Sequence, residues 1–198
     1  MKRFLVLFSV LVAVLMCQSC KKQDDNPQGI YNFKGGLSAT LPKEHFGTVK
    51  EVPLDSQSLL EKYKVLYPNV NKIEIAMYDN FNTYNGVGFS YAYTEADTNI
   101  FETDTPFGFD NVQDIIISGK PCKRSSTVDL EQYKTLTMVS CKDNNRSWDI
   151  FIQSFHAVPQ TDAAMTDEQN EQITDATEEV NDDIQAVVDE AISSFDIQ

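Results

Sequence analysis

Cationic side chains are scarce in this chain: 16 Lys and Arg stand against 30 Asp and Glu among 198 residues, a formal net charge of −14. The deficit is concentrated at one end, because the stretch from Ala157 to Gln198 holds twelve acids and no Lys or Arg. The segment from Cys20 to His156 is nearly balanced, with 14 basic and 18 acidic residues. Neither part has the basic footprint that nucleic acid requires, and neither is drawn to anionic lipid headgroups. Histidine is rarer still, with His45 and His156 alone. No H-x-x-x-H occurs, and no C-x-x-C follows Cys20, so the ligand sets of a zinc site are missing and each histidine reads as a surface or strand-end residue. There is no G-x-S-x-G elbow, and Gly86-x-Gly88 is too short for a phosphate loop. Asp79-Asn80-Phe81-Asn82 opens like a calcium loop but runs on to Thr83-Tyr84 without the closing Glu. These absences leave no catalytic grouping, no metal site and no cofactor to assign.

Long apolar runs are also lacking. The longest, Phe4 to Met16, falls short of the ~20 residues of a spanning helix. It follows Met1-Lys2-Arg3 and ends near Cys17-Gln18-Ser19-Cys20, so it has the basic start, short apolar stretch and small-residue end of an export signal. The segment resembles a bacterial lipoprotein signal. Such signals place a small residue just before the lipidated cysteine: Ser19 supplies one for Cys20, whereas bulky Met16 precedes Cys17. The resemblance implies a signal over residues 1–19, lipid on Cys20 and anchorage in the outer membrane, facing the periplasm or the cell surface. Lys21-Lys22-Gln23-Asp24-Asp25 then resembles the tag that sends lipoproteins of Bacteroidota to the surface. Residues 20–36, with Pro27, Gly29, Gly35 and Gly36, read as a flexible tether.

What the chain does have is alternation. Leu37–Leu41 and Phe46–Val49 read as two short strands around Pro42. Asp55 to Tyr67 reads as a helix capped at Asp55 or Ser56, stopped by Pro68, with Leu59, Tyr63, Leu66 and Tyr67 on one face. Ile73, Ile75 and Met77 alternate with polar or small neighbours, as do Val87, Phe89, Tyr91 and Tyr93. Val112 to Ser118, with three consecutive isoleucines, reads as an inner strand. Trp148 to His156 is apolar on both faces, which suits a central strand. Cys122 to Val128 and Tyr133 to Cys141 read as a hairpin, and the midpoint of Cys122 and Cys141 falls between Glu131 and Gln132, in its turn. A symmetric hairpin therefore sets the two cysteines opposite each other at bridging distance, and an oxidising compartment preserves the bond. Residues 159–174 read as an acidic, unstructured segment. After them Val180, Ile184, Val187, Val188, Ala191 and Phe195 form a helical stripe, with Asp175 and Glu178 as its cap.

The fold expected is α+β: one domain over residues 37–198, an antiparallel sheet of about five to seven strands packed against a helix in the N-terminal half and a C-terminal helix. This order, with Ile117-Ser118-Gly119-Lys120-Pro121, the following hairpin and the ending Ile192-Ser193-Ser194-Phe195, resembles the PsbP-like fold. The resemblance implies a non-catalytic accessory module and carries over no functional residue. Phe101, Phe107 and Phe109 lie among Thr, Asp, Pro and Gly on a connection too long for a simple turn, and offer themselves as a partner contact or as a cover for the sheet edge. The function expected is a lipid-anchored binding or accessory module with a protein partner. A hydrolase of glycan or peptide with paired carboxylates is the first alternative. An immunity-type protein that meets a basic toxin through Asp182, Asp183 and Glu190 is the second.

Overall fold

The computed structural model describes residues 29–80, 86–101, 110–129 and 133–198. Its centre is a seven-stranded, wholly antiparallel sheet built from β3 (Lys50–Val52), β4 (Ile73–Asp79), β5 (Val87–Ala96), β6 (Asp110–Ile117), β7 (Lys120–Asp129), β8 (Lys134–Asp143) and β9 (Arg146–Phe155). The order across the sheet is β3-β4-β5-β9-β8-β7-β6. A second, three-stranded sheet orders β1 (Ile30–Asn32), β2 (Leu37–Thr40) and β10 (Asp196–Ile197) with β2 in the middle. Helix α2 (Ser56–Leu66) belongs to the N-terminal half and α3 (Asp167–Ser193) to the C-terminal end, with a four-residue helix α1 (Lys43–Phe46) between β2 and β3. The α+β architecture is therefore as the sequence indicated, and β9 holds the central place.

Alternation along β5 and β9 gives the sheet an inner face. Val87, Phe89, Tyr91 and Tyr93 point there beside Trp148, Ile150 and Ile152, and all seven are buried. The small sheet and α3 close this face: Phe33 packs its ring 5.5 Å from Phe89 and 5.3 Å from Tyr91, and Val188, Ala191 and Ile192 come from the helix. The turn at Lys34–Gly36 is pinned from beneath, because Trp148 Nε1 donates to the Gly35 carbonyl at 2.8 Å and Tyr91 Oη donates to that of Lys34 at 2.8 Å. Gly35 has φ +80°, and a Cβ there would lie 2.2 Å from the Tyr93 ring, so only glycine fits. Residues 29–36 thus belong to the folded body rather than to the tether, since their aromatics supply core contacts that polar composition concealed.

Three further elements depart from the sequence reading. Phe46–Val49 is no strand: Lys43–Phe46 coil into α1, and the pairing strand begins at Lys50. The isoleucine-rich strand β6 lies at the sheet edge, with Ile116 77 % exposed, because β7 takes the position between it and β8. Helix α3 begins at Asp167, inside the stretch read as unstructured. Thr166 and Gln169 form its capping box, and Asp167 and Glu168 oppose the positive end of its dipole. Val180 consequently sits on an exposed part of α3, while Ile184 and Val187 reach the core cluster.

Candidate functional site

Among the described residues the outer face of the sheet is only partly covered. Helix α2 is capped by Asp55, whose carboxylate accepts from the Gln57 and Ser58 amides at 3.2 and 3.3 Å. Its Leu60 and Tyr63, with Tyr67 at its C-terminal cap, pack on a cluster of Val70, Ile73, Ala96 and Ile100. Leu66, which the spacing put on this face, is 73 % exposed with Val65 beside it, because Leu60 takes the contact instead. Eleven residues make a helix ~16 Å long, whereas seven strands spaced ~4.8 Å apart span ~29 Å. A helix of this length does not span the face, and among the described residues a cleft of about 470 Å³ lies between α2 and the strands β4, β5, β9 and β8.

Register determines what lies on its floor. Met77, Ala92, Asp149 and Ser140 are successive cross-strand partners from β4 to β8. One flanking row runs through Ile75, Thr94, Ser147 and Lys142, and the other includes Phe151 and Met138. Tyr63 from α2 and Phe101 complete the walls. The cleft is thus mostly apolar, with a carboxylate near its centre. Ser140 Oγ donates to Asp149 Oδ1 at 2.6 Å, and Ser147 Oγ donates to Oδ2 at 3.2 Å. Burial raises the Asp149 pKa above the usual carboxylate value, against the lowering effect of the Ser140 hydroxyl, the Lys142 charge and the Ser147 hydroxyl. Burial likewise raises the Tyr63 phenol, with smaller contributions from Tyr67 and Asp149. A carboxylate whose pKa burial raises, set in a cleft, is a candidate functional position.

Sequence reasoning did not single out Asp149, because alternation makes it look like an ordinary outward residue between Trp148 and Ile150. The signal was Phe151: an apolar residue on the same side as Asp149 says that this side is covered too.

Cys122 and Cys141 form the disulfide that hairpin symmetry predicted. They are cross-strand partners with Cα atoms 4.2 Å apart, and both are buried in the inner core next to Trp148. A bridge over 19 positions stabilises by about 3 kcal/mol in the chain-entropy account. It lies on the face opposite the Asp149 side chain. Phe101 is half-buried against the α2 cluster and lines the cleft; Phe107, Phe109 and Cys20 lie outside the described residues. His156 Nε2 meets Thr135 Oγ1 at 2.6 Å at the end of β9, and His45 lies in α1. Among the described residues no three His, Cys, Asp or Glu side chains group as a metal site would require. Asp182, Asp183 and Glu190 are exposed on α3. Comparison with family models, curated proteins and solved structures finds no match.

Proposed function

We propose that this protein is a lipid-anchored binding module of the cell envelope, tethered through Cys20, whose binding site is the cleft between α2 and the outer sheet face. The cleft carries this reading. Its volume lies in the ~300–1,000 Å³ range of small-molecule sites, and its walls are apolar around a few fixed polar groups. A glycosidase needs two facing carboxyls ~5 to ~9.5 Å apart, and among the described residues that line the cleft Asp149 is the single carboxylate. That arrangement favours holding a ligand over cleaving one. The anchor rests on Ser19-Cys20 and the polar stretch behind it, and the accessory role agrees with the PsbP-like likeness of the strand order.

A ligand-observed NMR screen of small aromatic and aliphatic compounds tests the site. Hits are expected with the wild-type protein and are expected to vanish in Ala92→Trp, which fills the middle of the floor. Hits that persist in Ala92→Trp, or a screen with none, would contradict the reading. The anchor is checked separately by palmitate labelling in cells, which Cys20→Ser is expected to abolish.

A further inference from the structure

We propose that the cleft selects compounds that carry an ammonium group on an apolar body, with Asp149 as the group that pairs the cation. The inference rests on the cleft being a binding site and adds the chemistry of what it accepts. Asp149 stands in the middle of the floor row, with Ala92 on one side and Ser140 on the other. Each of its oxygens accepts one serine hydroxyl. An ionised carboxylate has about four acceptor positions, so the two serines fix its orientation and leave acceptor capacity for a ligand. Both contacts run from hydroxyl to carboxylate, which suits the charged form, and among the described residues no cationic nitrogen lies at hydrogen-bond distance from it.

A half-buried carboxylate without a cation at hydrogen-bond distance is costly, and an arriving cation lowers that cost while making a charge-assisted bond. An anion meets the opposite situation, and a neutral hydroxyl gains a weaker bond. Lys142 also lines the cleft, one row away opposite Ser147, and its charge acts on Asp149. Selectivity is therefore a competition between the two signs, which Asp149 wins because it is central and fixed by two hydroxyls. The remainder of the ligand meets Tyr63, Phe101, Met138 and Phe151. Aromatic and thioether side chains accommodate an apolar body, and the ring faces also favour a nearby cation.

Calorimetric titration of the full-length protein in detergent with three probes of one shape tests this: 2-phenylethylammonium, 2-phenylethanol and 3-phenylpropionate. The ammonium probe is expected to bind at least tenfold more tightly than the alcohol, with the carboxylate weakest. In Asp149→Asn, which keeps the size and an acceptor for the serines, the ammonium and alcohol affinities are expected to converge. Equal affinity for ammonium and alcohol, a preference for the carboxylate, or an advantage that survives in Asp149→Asn would overturn the assignment and leave the cleft as a neutral site. Absence of binding by all three probes would overturn the binding site and the assignment together. The wild-type series stands even if the variant is impaired in folding.

Discussion

At the scale of single residues, Asp149 opposes stability. Its folded-state pKa is raised chiefly by burial, so between the ordinary carboxylate value and the raised one the native state binds more protons than the unfolded chain. Stability linked to this group therefore falls as pH rises through that window, and the cost is fully present above it. Asp149→Asn is accordingly expected to gain stability relative to wild type at pH 7, and to lose that gain as pH falls through this window, wholly by about pH 4. Urea unfolding of both proteins at several pH values checks this; a difference that does not vary with pH would contradict it. The inner face supplies a contrast. Tyr93 donates to Glu95 at 2.5 Å, and Trp148 donates to Gly35, so polar atoms there are matched within the fold. The disulfide was legible in the sequence because a hairpin's symmetry reduces to counting. Asp149 was not, because its importance depends on which helix lies above it, and alternation along one strand is silent about that.

At the scale of elements, local signals located most strands and the Asp55 cap, while positions set by distant pairing escaped. Three isoleucines in a row suggested an inner strand, yet β6 became an edge because strand order is a property of the whole sheet. The small sheet shows the same limit. A tail of five residues after α3 adds β10 to β2, buries Phe195 and Ile197, and ties Ser194 Oγ to the Thr40 amide at 2.9 Å. Ser118, at φ +51° beside Gly119 at +78°, turns β6 into β7; its hydroxyl donates to Asp196 and accepts from the Ile197 amide. Truncation after Ser193 removes two buried apolar side chains, each worth ~1.5–3 kcal/mol. The truncated protein is expected to lose about 3–6 kcal/mol in urea unfolding. A loss below about 1 kcal/mol would show that β10 is an ornament on α3 rather than a closure of the core.

At the scale of the whole molecule, the two faces of one sheet divide the work. The inner face takes Phe33, Phe89, Tyr91, Tyr93 and Trp148, the disulfide, the small sheet and α3, and so secures the fold. The outer face, covered at one side by α2, keeps the cleft. The strong acidity belongs to the C-terminal stretch, including α3, whereas Asp149 is the single acid among the described residues that line the cleft. A binding site in the cleft has a local signature that three methionines report. Met77 and Met138 line the cleft, whereas Met165 precedes α3 and is exposed. Methyl NMR of the methionine-labelled protein, titrated with 2-phenylethylammonium, tests the claim directly. The expected result is that the Met77 and Met138 signals shift together while Met165 stays in place. Shifts at Met165 alone, or no shift at Met77 and Met138 under conditions where the probe is bound, would place the site elsewhere.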